Sequence, residues 1–231
     1  MMASVASFSG LKPQLLEFLQ ELKANNSKEW FQAHRVEYES YLLEPARQFV
    51  LAMSHQFRTL GEDIHAEPKV YGSIFAINRD TRFSADKTPY KTHLDLWFWQ
   101  GAGPSRECPG YFLRLTPESL ILGAGMHAFS DRALERYRQA VLDDAQAARL
   151  EHAVSAIGVP VSLGGRTYKR VPQGLPADHP RADLLRHSGL FAETEQPVPA
   201  ELFSDRLPEV CLEHYQRVAP IQRWLVELLA A

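Results

Sequence analysis

The sequence is short of the features that most quickly betray a function. Its two cysteines, Cys108 and Cys211, lie far apart without metal-ligand spacing. That excludes a disulfide framework and a zinc cluster, and two reduced thiols are the simplest reading. No apolar run approaches the ~20 residues that cross a bilayer. Met1–Gly10 has no basic segment leading into an apolar one, which argues against a secretory signal and makes the cytoplasm the expected address. An excess of one charge is missing too. The 25 basic and 28 acidic residues leave a net charge of −3, so attraction to nucleic acid or to an anionic membrane would need a local patch. There is no HExxH and no GxSxG. Gly123-x-Gly125 lacks a third glycine, and Gly164-Gly165 does not open a helix. Turn, bulge or tight-packing roles are expected for both pairs rather than a phosphate cradle. No internal repeat, low-complexity segment or long linker is visible.

What is present is an ordinary globular chain. Its 231 residues, 45% hydrophobic and 23% charged, suffice to bury a core as one large domain or two small ones. The opening third reads as three helices. Pro13 suits a first turn, and Leu15, Leu16, Phe18, Leu19 and Leu22 recur at helical spacing until Asn25-Asn26 end the run. Ser27 can cap a second helix with Glu29 in its first turn, Trp30, Phe31, His34, Tyr38, Tyr41 and Leu42 inward, and a break at Glu44-Pro45. His34 reads as a satisfied core histidine. The third helix turns Phe49, Val50, Met53, Phe57 and Leu60 inward and stops at Gly61.

Strand signals follow: Val70 to Asn78, Thr92 to Gln100, then Gly110 to Leu115 and Ser119 to Met126 joined by a Thr-Pro-Glu turn as an antiparallel hairpin. Two helices come next, one capped by Ser130 and one ending at Gly158. Arg166 to Arg170 reads as a strand edge with its turn, Asp178 to His187 as a short helix, Glu193 to Pro199 as a connection. The chain closes on a long amphipathic helix that Pro220 can kink. The expected architecture is one α+β domain over residues 1–231. It has a mixed or antiparallel central sheet flanked by helices, a helical N-terminal third and a long C-terminal helix.

One stretch concentrates chemistry: Arg79-Asp80-Thr81-Arg82-Phe83-Ser84-Ala85-Asp86-Lys87-Thr88-Pro89-Tyr90-Lys91. Phe83, Pro89 and Tyr90 are the expected anchors. Arginine offers a planar donor fork matching phosphate or carboxylate, and lysine a point charge. Arg79, Arg82, Lys87 and Lys91 could therefore converge on an anionic small molecule, joined by Tyr168, Lys169 and Arg170, with Asp80 and Asp86 orienting the arginines and Tyr90 beside them. Three other readings stay open. The carboxylates can satisfy the arginines internally, making the motif an ion-pair network. Asp80, Asp86, His93 and Asp95 can hold a divalent cation, although no metal spacing is matched. Tyr90, Trp97, Trp99 and Tyr168 can stack bases between the cations in a noncatalytic nucleic-acid-binding module, unless the tryptophans pack under the N-terminal helices. Ser84, Ser130 and Cys108 have no adjacent base, so the residues name no reaction, no membrane contact and no oligomeric state.

The Arg79–Lys91 run, together with Asn25-Asn26 leading to Glu29-Trp30-Phe31, the Gly123-x-Gly125 strand and Arg181 to Leu190, resembles the bacterial and fungal family called domain of unknown function 2461. The resemblance covers nearly the whole chain and implies a single-domain, soluble, cytoplasmic protein. It places Arg79, Asp80, Arg82, Phe83, Asp86, Lys87, Pro89, Tyr90 and Lys91 in the family motif and brings no activity. Asn78 stands where an aromatic is expected. Ser188 stands where a basic residue is expected, which argues against the Arg186 region joining an anion site.

Overall fold

The protein is described by a computed structural model over residues 8–59, 63–158 and 161–230. It is an α+β protein. Five strands, β1 (Leu94–Trp99), β2 (Gly110–Leu115), β3 (Ser119–Met126), β4 (Ser162–Arg166) and β5 (His187–Pro197), form one antiparallel sheet in the order β1-β2-β3-β5-β4. The chain divides into two compact units. One holds Met1–Phe98, Phe112–Ile121 and Glu195–Glu213; the other holds Trp99–Tyr111, Leu122–Thr194 and His214–Ala231.

The first unit is built on α1 (Gln14–Ala24), α2 (Lys28–Ala33), the single turn α3 (Arg35–Glu37) and α4 (Glu44–Thr59). Leu15, Leu19, Leu22, Phe49, Val50 and Met53 are wholly buried, as their spacing requires. Ser27 caps α2 by accepting from the Trp30 N–H at 3.2 Å. The expected break at Glu44-Pro45 does not occur; the interruption comes at His34. There the imidazole bonds the Trp30 carbonyl at 2.8 Å and stacks on the Trp30 ring, and the residue is half-buried rather than in the core. Through Tyr38–Leu43 the helix widens to π spacing, with the Glu44 N–H bonding the Glu39 carbonyl five residues back. In that register Pro45 leaves the Ser40 carbonyl without a partner, and Lys12 Nζ donates to it at 3.2 Å. A side chain thus replaces the donor that proline lacks. The expected Leu60 packing and Gly61 stop lie outside the described residues.

Val70 to Asn78 is not a strand. Tyr71 sits at φ 65°, and the chain turns there, with the Gly72 N–H bonding Lys69 and the Tyr71 N–H bonding Ile74. A left-handed bulky residue is incompatible with a strand. Only a short part then pairs: the Trp97 N–H bonds Ser73 and the Phe75 N–H bonds Asp95. The β2–β3 hairpin is as expected, its turn closed by Thr116 Oγ1 accepting from the Glu118 and Ser119 N–H groups.

The second unit carries α5 (Asp131–Leu142) and α6 (Asp144–Ile157). Ser130 caps α5, and Gly158 ends α6 at φ 63°. The expected helix over Asp178 to His187 is instead a series of turns and one 3-10 turn, Leu184–Arg186. The expected connection after Glu193 is the second half of β5. Gly125, at φ 132°, makes the β3–β5 approach possible, since a Cβ there would lie 2.2 Å from the Leu190 carbonyl oxygen. Gly164-Gly165 marks a bulge on β4, where the register against β5 shifts. The long helix α7 (Leu207–Ala230) runs through Pro220 without ending. Cys108 and Cys211 are unpaired and buried. No helix among the described residues is long and apolar enough to cross a membrane.

Candidate functional site

The 79–91 segment is a loop with a closed neck. Asn78 bridges Tyr90, the Arg79 N–H bonds the Pro89 carbonyl at 2.8 Å, and the Lys91 N–H bonds the Ile77 carbonyl at 2.7 Å. The Asn26 side-chain amide clasps the neck from behind. It donates to the Tyr90 carbonyl at 2.9 Å and accepts from the Tyr90 N–H at 3.1 Å, as a neighbouring strand would. The Tyr90 ring is buried and stacks on Phe31, with centroids 4.2 Å apart.

Within the loop each cation has a partner. Arg79 reaches Asp86 at 2.5 Å and also bonds the Thr88 carbonyl and hydroxyl. Arg82 grips Asp80 with two nitrogens, at 2.9 and 2.7 Å. Lys87 donates to the Thr81 carbonyl at 2.8 Å. Bonds from the Thr88 N–H and from Arg79 pull the Asp86 carboxyl down to about 2. Arg82 does the same to Asp80, also to about 2. At the base, Lys91 and His93 face Asp95 at 3.3 and 3.1 Å, and Arg114 reaches it at 2.7 Å. Burial disfavours the Asp95 charge, but the bonds from His93 and Arg114 outweigh it and hold the carboxyl far below the usual range. Phe83, expected as an anchor, is 96% exposed. Pro89 and Tyr90 are the residues that hold the loop down.

The second basic segment belongs to the other unit. There the Thr167 and Tyr168 N–H groups both bond the Arg186 carbonyl, and Arg186 Nη1 donates to the Lys169 carbonyl at 3.3 Å. Arg166 and Arg186 share Asp183, at 3.3 and 2.9 Å. Arg138, on α5, lays its guanidinium over the Tyr168 ring at 5.7 Å. The Nε atoms of Arg138 and Arg186 are buried and have no hydrogen-bond partner among the described residues. Lys169 and Arg170 are exposed, and neither side chain forms an ion pair among the described residues. The Arg186 region thus contacts the 166–170 segment. Ser188 contributes a hydroxyl, 2.6 Å from that of Thr167.

Of the aromatics expected to stack bases, Tyr90, Trp97 and Trp99 are buried, and Tyr168 is 39% exposed. Among the described residues no three His, Cys, Asp or Glu side chains converge in a way that could hold a metal ion. Arg138 was not singled out by sequence. It lies 30 positions from Tyr168 on a helix whose other polar residues look alike, and no local signal marks it.

A family model described as conserved hypothetical protein (DUF2461) matches residues 14–224. The chain belongs to the DUF2461 family. Membership spans both units and includes both basic segments. No curated protein matches the sequence.

Proposed function

We propose that this DUF2461 protein binds an anionic, phosphorylated ligand, and that the seat is the Arg138–Tyr168–Arg186 patch with Lys169 and Arg170 at its rim. The observation that carries this reading is a pair of buried guanidinium Nε donors without a partner among the described residues: that of Arg138, whose guanidinium lies over the Tyr168 ring, and that of Arg186, whose carbonyl accepts from the Tyr168 N–H. Buried donors are nearly always satisfied, and leaving one unmade costs about 1–3 kcal/mol. A phosphate supplies several acceptor oxygens at once, and arginine forks match it. Arg166 and Arg186 share the carboxylate of Asp183, and Lys169 and Arg170 follow Tyr168 in the chain with their side chains exposed.

The 79–91 loop gives the anion less. Its cations are already engaged, so a ligand there would have to displace Asp80 or Asp86. That loop favours a second reading: an internally paired, stiffened element that presents Phe83 and Arg82, the latter's side chain 77% exposed, to a protein partner. Arginine and aromatics dominate interface hot spots. A single-stranded nucleic acid is favoured least, because three of the four candidate stacking rings are buried.

The test is calorimetric titration of the intact protein with pyrophosphate and phosphorylated metabolites, with and without magnesium. Arg138→Gln should weaken binding at least tenfold, and Lys87→Gln should leave it unchanged. At a hundredfold excess over Kd the ligand should add about 2.7 kcal/mol to stability. Absence of binding by every phosphorylated compound sinks the reading.

A further inference from the structure

One stripe of α5 adds a second half to this patch. Asp131, Leu134, Glu135, Arg138 and Leu142 share that face of the helix and, with Leu175, line an open hollow of about 420 Å³. The volume is that of a small-molecule site. Leu134 and Leu175 are half-buried and Leu142 is 36% exposed, so the hollow has apolar surface to offer.

Its charges are separated rather than paired. Glu135 and Arg138 stand three residues apart on a helix, the spacing at which ion pairs form. Yet among the described residues neither Asp131 nor Glu135 makes an ion pair, and Arg138 makes none either. Arg138 leans onto Tyr168 instead of toward Glu135. The hollow is therefore dipolar: its lining includes Arg138 and, toward the start of α5, two carboxylates without an ion pair among the described residues. Helix rise puts them about 5 and 10 Å from Arg138 along the axis.

We infer that the hollow selects a small zwitterion: a phosphate on Arg138, a protonated amine toward Glu135 and Asp131, and a short apolar linker over the leucines. This rests on the anion reading of Arg138 and narrows its ligand class. A ligand with only the anion meets two repelling carboxylates, and one with only the amine meets the guanidinium. A molecule with both satisfies each charge.

The probes are O-phosphoethanolamine, ethyl phosphate and pyrophosphate, titrated calorimetrically into the intact protein near neutral pH. O-phosphoethanolamine should bind at least tenfold tighter than ethyl phosphate. That advantage should fall below about threefold in Glu135→Gln and in the Asp131→Asn/Glu135→Gln double variant, while ethyl phosphate binds as well as before or better. Both variants alter exposed side chains, so folding is checked by circular dichroism alone. Equal binding of the two monophosphates, or an advantage surviving in the double variant, overturns the zwitterion inference and leaves the anion site standing. Failure of all three probes overturns both. Sedimentation with phosphatidylethanolamine vesicles separates free ligand from lipid headgroup. No binding above a phosphatidylcholine background is expected, and co-sedimentation would overturn the small-molecule assignment.

Discussion

Asp95 is the charged side chain whose loss the first unit should feel most. One half-buried carboxylate answers Lys91, His93 and Arg114 together. Asp95→Asn keeps the shape but removes the charge all three face, and should destabilise the protein by about 1.5–3 kcal/mol; chemical denaturation measures it. Phe83→Ala should change stability by less than about 0.5 kcal/mol, because an almost fully exposed ring loses no packing. Phe31→Ala should cost about 3–5 kcal/mol, since that ring sits buried between Tyr38 and Tyr90. The contrast shows what single residues reveal in a sequence. An aromatic in a charged run is equally readable as an anchor or as a tip, and only long-range packing decides. The role of Asn26 was illegible for the same reason, since the backbone it clasps lies 64 positions away.

At the scale of elements, the helices of the opening third and the β2–β3 hairpin were readable from periodicity and turn chemistry. The failures have physical causes. Strand β5 alternates charged and small residues at its exposed end, so it resembles a polar linker until β3 and β4 pair with it. The break expected at Glu44-Pro45 was absorbed by π spacing and by Lys12, a remedy no local pattern announces. The 79–91 loop was legible as a charged, stiffened segment, but which cations it would consume internally was not. Its acid behaviour follows from its carboxylates. Asp80 and Asp86 have folded values lowered to about 2 from 3.8. Their support is therefore present above about pH 4 and is lost as pH falls toward about 2. Amide exchange at Thr88, corrected for intrinsic rate, should accelerate over that window, and Asp86→Asn should show the faster exchange already at neutral pH.

For the whole molecule, the two units should meet acid at different points. In the second unit burial lowers His214 from 6.5 to about 4, and its Nε2–H donates to the Leu122 carbonyl at 3.0 Å. Burial lowers His187 as well. A depressed histidine stabilises the fold fully above the unfolded value and loses that contribution as pH falls through the folded one. The second unit should therefore weaken between about pH 6.5 and 4, before the carboxylates of the first unit titrate. Hydrogen exchange should rise in α5 and the end of α7 ahead of α1, and His214→Gln should flatten the trend; a first unit that loosens earlier would contradict it. The α+β class and the two basic segments were legible in the chain, whereas Arg138 required the fold. Finally, Cys211 has no exposed surface, and burial pushes its thiol well above the ordinary range. Intact protein should hence ignore alkylating reagents at this position, and the rate at which iodoacetamide eventually caught the sulfur would be a built-in clock for the opening of α7.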